Sequence, residues 1–195
     1  MKHRNAKDLN DSEVITNYDL VQSVHALMGN IDLDVASSRI ANEYVGADKY
    51  YTPSDDSLNS QPWYGKVYLF PPNGIYYWDE LKERWNKGRT KSKIFTSSHA
   101  VWFRRLYREW WKGNVDEAVY MTNHPDMIRY DQRIFDFPLC ILKVAPFCMK
   151  NTSRGLEDRH QTSTSIIVYL PPRDYGPEHT ERFIDIYSEK GRILC

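Results

Sequence analysis

Short apolar runs alternate along the chain with stretches in which apolar positions recur every three or four residues, a pattern that predicts strands interleaved with helices. Tyr18, Val21, Val24, His25 and Met28 fall on one helical face, with Ser12 or Thr16 as candidate caps and Gly29 as the stop. Residues 31–36 alternate apolar and acidic, a short strand with Asp34 near its exit. A polar stretch over 37–42 follows, then Tyr50-Tyr51-Thr52, a Pro53-Ser54-Asp55-Asp56 turn, and the anchors Leu58 and Trp63. Residues 66–70 read as a buried strand that stops at Pro71-Pro72, because proline cannot donate to a ladder and fixes φ. Trp78, Leu81 and Trp85 predict a helix over 77–86, followed by a basic, aperiodic loop over 88–98. Trp102, Leu106 and Trp110 predict a second helix over 100–112, capped by Ser98 and ended by Gly113. Strands are predicted over 115–121, 139–144 and 165–170, with a short helix or turn over 125–130. A long polar connection is expected over 146–162 and an amphipathic helix over 177–189. There is no internal repeat. Strands alternating with helices imply an α/β fold, a mostly parallel sheet with helices on both faces.

Composition narrows the picture without naming a partner. At 195 residues the chain fits one domain, and six Trp argue against a disordered one. Residues 1–12 read as a flexible N-terminal tail and 13–195 as the domain. The chain is neutral overall, but residues 82–112 hold ten Lys or Arg against Glu83 and Glu109. That segment is +8, so the remainder is −8. Cys140, Cys148 and Cys195 are odd in number and lack metal-ligand spacing, which points to reduced thiols in a cytoplasmic or nuclear compartment and to no metal site. No apolar run approaches a membrane span, so no membrane association is expected.

Chemistry concentrates in few places. Asp34 stands at a strand exit, where α/β folds place a carboxylate against a ribose or amino group; a turn or cap acid has the same appearance. Asp55 and Asp56 have the look of turn formers, and His124 and His160 lack a nucleophilic partner in any recognisable motif. Lys87, Arg89, Lys91 and Lys93 concentrate charge that helix packing does not explain, and such residues neutralise phosphates or face an acidic partner.

The order Thr16-Asn17, Leu33-Asp34-Val35-Ala36, Asn42, Tyr50-Tyr51-Thr52, Asp56-Ser57-Leu58, Trp63 and Phe70-Pro71-Pro72-Asn73 resembles the phage-type, Dam-like DNA N6-adenine methyltransferases of phages and mobile elements. Members read roughly Thr-Pro, Leu-Asp-x-Ala-Ala, Asn, Tyr-x-Thr, Asp-x-Leu, Trp and Asn-Pro-Pro-Tyr. The resemblance covers about residues 14–194, with a basic insertion at about 75–98. It implies a Rossmann-like methyltransferase fold with S-adenosylmethionine as cofactor and DNA as partner. It implies too that Thr16, Asp34, Asn42 and Asp56 line the cofactor, and that Phe70, Pro71, Pro72 and Asn73 form the motif that receives a flipped adenine. In that motif an Asn or Asp side chain and a proline carbonyl bond the amine hydrogens, and an aromatic ring stacks on the base.

The motif here departs from that pattern at both variable places. Phe70 stands where the acceptor belongs and Asn73 where the ring belongs, and Asn17 replaces the usual proline. Two functions follow as expectations. One is a catalytically degenerate relative acting as a nucleic-acid-binding or scaffold subunit, its cofactor possibly lost, with Lys87, Arg89, Lys91 and Lys93 on nucleic acid or a protein partner. The other is an active N6-adenine methyltransferase.

Overall fold

The computed structural model describes residues 14–91, 93–144, 147–152, 155–160, 164–174 and 176–195. The tail expected at 1–12 lies outside them. The strands in chain order are β1 (Val14–Ile15), β2 (Leu33–Asp34), β3 (Lys49–Tyr50), β4 (Gly65–Leu69), β5 (Ile75–Asp79), β6 (Arg84–Lys87), β7 (Phe95–Ser97) and β8 (Val115–Thr122). They continue as β9 (Leu139–Leu142), β10 (Phe147–Thr152), β11 (Gly155–His160), β12 (Ile166–Leu170) and β13 (Gly191–Leu194). The helices are α1 (Tyr18–Met28), α2 (Arg39–Val45), α3 (Ser98–Trp111) and α4 (Pro177–Tyr187).

The central sheet runs β13-β9-β12-β8-β4-β2-β3. β3, β2, β4 and β8 pair in parallel, β12 is antiparallel to both β8 and β9, and β13 is antiparallel to β9. Five strands therefore share one direction. Because successive strand residues face opposite sides, Val67 and Leu69 enter one core while Tyr68 enters the other. The first core lies under α3, with Val101, Phe103 and Leu106 against Ala118, Tyr120, Val168 and Leu170. The second lies under α1 and α4, with Val21, Val24 and Phe183 against Val119, Ile167 and Tyr169. Each large apolar side chain buried this way contributes about 1.5–3 kcal/mol. The architecture is the expected one: α/β, Rossmann-like, with helices on both faces.

Several local expectations are corrected. Residues 77–86 are not a helix: β5 and β6 form an antiparallel hairpin, and β7 pairs with the other edge of β5. The run Ile75-Tyr76-Tyr77-Trp78 is β-favouring, and Glu83 turns with φ 47, a left-handed value no α-helix interior accepts. Trp78 and Trp85 sit directly opposite across the strands, ring centroids 5.4 Å apart, so their spacing of seven reflects a hairpin. Leu81, read as the middle of a helical stripe, is 97% exposed in the turn. Part of the expected 88–98 loop is β7, and the expected connection over 146–162 contains the β10–β11 pair, to which β1 adds.

Caps differ too. Asn17, not Ser12 or Thr16, caps α1 by accepting from the Asp19 amide at 2.7 Å. The buried face of α1 carries Leu20, Val21, Val24, Leu27 and Met28, and Tyr18 points out. Ser98 is the first residue of α3, with Ser97 at the N-cap position. The polar stretch near 38–45 forms α2, whose N-cap Ser38 accepts from the Ala41 amide. No helix among the described residues is long and apolar enough to cross a membrane.

Candidate functional site

The chain passes from β2 to β3 on one side, then returns to β4 on the other. The carboxyl ends of β2 and β4 therefore flank a topological switch point, where open α/β sheets bind ligands. Asp34 closes β2 there. Leu33 and Val35 enter the first core, so Asp34 faces the opposite side, as does its register neighbour Tyr68. The carboxylate is 3% exposed, and its Oδ1 accepts from the Ala36 amide at 3.1 Å. Thr16, equally buried, bonds its hydroxyl to that of Tyr68 at 2.5 Å. The Thr16–Tyr68 hydrogen bond thus lies on the same side of the sheet as Asp34, whose register neighbour is Tyr68.

Asn42 and Asp56 are engaged elsewhere. The Asn42 amide gives Nδ2–H to the Ala47 carbonyl and takes the Ala47 N–H on Oδ1, both at 3.0 Å, which closes the C-terminus of α2. Asp56 sits at φ 51, pairs with Arg84 at 3.1 Å and accepts from Asn59 at 2.7 Å. Asn59 in turn exchanges hydrogen bonds with the Trp85 backbone. Asp56 and Asn59 therefore fasten β6 to the body. Neighbouring Asp55 bonds the Thr52 hydroxyl and amide, which hold its carboxyl below the usual range.

The Phe70-Pro71-Pro72-Asn73 segment leaves β4 toward the start of α3 and the end of β8. Phe70 meets His99 edge-on, centroids 6.4 Å apart. The Pro72 carbonyl accepts from the Ser98 hydroxyl, and the Gly74 carbonyl from the Ser98 amide at 3.0 Å. Asn73 Oδ1 takes two bonds, from His99 Nε2 at 3.1 Å and His124 Nε2 at 2.9 Å. His99 is 1% exposed, and burial, then the His124 ring beside it, pushes its pKa down to about 3. It is therefore neutral with a single N–H. The network assigns that proton to Nε2, facing Asn73, and leaves Nδ1 to accept the Thr122 hydroxyl at 2.9 Å. Thr122 Oγ1 accepts the His124 amide at 3.1 Å, and Tyr120 donates to the His99 carbonyl at 3.1 Å.

His99 and Thr122 carry no signal in the sequence, Ser98 reads there only as a helix cap, and His124 lacks a recognisable partner. Each lies at or just past the end of β8 or in the first turn of α3, and that placement at the carboxyl edge is the one signal that points to them. Chemically, the cluster occupies Asn73 Oδ1 and the Pro72 carbonyl. A carbonyl oxygen has two lone pairs, and both on Asn73 Oδ1 face imidazole N–H groups. Phe70 supplies no acceptor.

The four basic residues of the insertion have different surroundings. Lys87 lies over the motif: a Cβ on Gly74 would come within 3.0 Å of Lys87 Cε, and Gly74 has φ 142, a conformation that requires glycine. Arg89 stacks on Phe95 at 4.7 Å, Lys93 pairs with Glu80, and Lys91 is exposed in the turn. Three of the ten cations pair with acids outside the segment, Arg84 with Asp56, Lys93 with Glu80 and Arg104 with Asp131, while Arg105 and Arg108 share Glu109 within it.

No protein-family model matches the chain, and no curated protein does. Among solved structures it is similar to a chain described as a class I S-adenosylmethionine-dependent methyltransferase from Listeria monocytogenes, at 10% identity and TM-score 0.43, over 91% of this chain and 66% of that one. The chain thus spans just under two thirds of that protein's length.

Proposed function

We propose that the chain is a methyltransferase-like domain that binds S-adenosylmethionine, does not methylate adenine N6, and serves as a nucleic-acid-binding subunit. The switch-point residues fit the cofactor in part. Asp34 and Thr16 present a buried carboxylate and hydroxyl where a nucleoside or amino-acid group would dock. Asn42 and Asp56 are engaged with the protein's own groups. The cofactor's sulfonium would supply an electrophilic methyl group.

The observation that carries the loss of transfer is Asn73 Oδ1, held by His99 and His124. An N6 amine is a poor nucleophile because its lone pair is delocalised into the ring. It gains reactivity when two preorganised acceptors take its hydrogens, and removing one such group from a comparable site costs roughly 10²–10³ in rate. Phe70 has no acceptor, and Asn73, at the ring position, is held by His99 and His124 and so is not free to replace it. Lys87, placed over Gly74, supports a phosphate contact at the mouth of the motif, with Lys91 beside the same hairpin.

Labelled methyl transfer to adenine-containing DNA is the direct test. Incorporation is expected at background. Transfer well above background, abolished by Pro71→Ala, would restore the active-enzyme reading.

A further inference from the structure

The packing of α3 explains its inward stripe but leaves one tryptophan over. Trp102 is buried and Trp110 half-buried, and Trp110 donates to the Pro171 carbonyl at 2.7 Å and meets Phe137 edge-on at 5.1 Å. Trp111, the next residue, is 64% exposed. Its ring lies nearly parallel to that of Tyr107, one turn back, at 12° and 6.3 Å between centroids. The Arg133 guanidinium lies 4.4 Å over the Tyr107 ring. Arg133 and Trp111 thus both pack on the half-buried Tyr107, a short ladder of planar groups that ends in the exposed Trp111. They sit at the C-terminal end of α3, about 18 Å along the axis from His99.

The charge around this ladder is arranged by depth. Arg108 and Arg133 have side chains 56% and 42% exposed, while the carboxylates they pair with, Glu109 and Asp131, are 8% and 4% exposed. The acids lie underneath and the guanidiniums face solvent. Arg173 adds a third cation by donating to the Trp111 carbonyl at 3.1 Å, and Lys112 beside it is exposed. Exposed acids are present too, Asp136 near Arg133 and Asp174 next to Arg173 in the chain, against the four cations Arg108, Lys112, Arg133 and Arg173. The net outward presentation is positive.

We propose that this face is a stacking platform for single-stranded nucleic acid. An unpaired base stacks on Trp111 in continuation of the ladder, and the flanking phosphates meet Arg108, Lys112 and Arg173. Planar rings combined with solvent-facing cations match a strand with exposed bases and an anionic backbone. A duplex hides the faces of its bases, and an apolar protein partner would strip water from the guanidiniums without replacing it. The platform lies away from the hairpin and does not rest on the cofactor reading or on the Lys87 contact.

The test is fluorescence anisotropy of a labelled twelve-residue oligothymidylate at low salt, with the parent, Trp111→Ala, Trp111→Phe and a quadruple alanine variant at Lys87, Arg89, Lys91 and Lys93. Because Trp111 is exposed, its replacement leaves the core intact. The parent is expected to bind the oligomer, with Trp111→Ala weakening it roughly 5- to 150-fold and Trp111→Phe retaining most of the affinity. Unchanged affinity in Trp111→Ala, no binding by the parent, or tighter binding of a duplex of equal length would each overturn the platform. The quadruple variant reports separately on the hairpin. An unchanged salt dependence there removes the hairpin contact and leaves the platform standing.

Discussion

Trp63→Ala is expected to lower the unfolding free energy by about 3–5 kcal/mol, with no loss of cooperativity in denaturant. Trp63 is 2% exposed and stacks on Trp102 at 5.9 Å and 23°. The Arg105 guanidinium also lies over the ring at 5.2 Å, and the Trp63 Nε1–H donates to Ser57. The same arginine donates to the carbonyls of Leu58 and Gln61, and Tyr51 donates to that of Pro62. Trp63 is therefore the hub on which the loop carrying Asp55 and Asp56 is mounted. Removing it leaves a cavity and frees that loop. A change under 1 kcal/mol in a denaturant titration would show that the loop is held by its hydrogen bonds alone.

The second large effect is pH-dependent. His99 titrates near 6.5 when unfolded and is pushed down to about 3 when folded. Below pH 6.5 the unfolded chain takes up a proton that the folded chain refuses. Stability is therefore full above pH 6.5 and is lost as pH falls toward 3, by at most about 5 kcal/mol. His99→Gln removes that proton uptake and should flatten the profile between pH 6.5 and 3. Asn73→Ala acts on the same group at neutral pH, because it leaves the buried Nε2–H without its acceptor. The expected cost is about 1–3 kcal/mol. Parallel pH profiles for the parent and His99→Gln would contradict this account.

Much of the frame was legible in the sequence. The prolines at 71 and 72 end β4 because they can neither donate nor continue the ladder. The run over 166–170 is β-branched and aromatic on both faces, as a strand buried on both sides must be. Trp102, Leu106 and Trp110 fixed the inward side of α3. The hairpin was misread because residues seven apart meet the helical period and also stand opposite across a short turn. Glu83's left-handed turn left no trace in composition. The histidine cluster escaped because its members come from positions 73, 99, 122 and 124, joined only when β4 and β8 pair. The charge of 82–112 was visible, but its pairing with Asp56, Asp131 and Glu109 was not, since those partners lie on other elements or one helical turn away.

Calorimetric titration with S-adenosylmethionine distinguishes a cofactor site that survives beside an altered base-receiving motif from one that has decayed with it. The parent should bind, and Asp34→Asn, which keeps Oδ1 for the Ala36 turn but removes the charge, should weaken binding by roughly 10- to 150-fold. Absence of binding by the parent, or equal affinity in the variant, would contradict the proposed cofactor site.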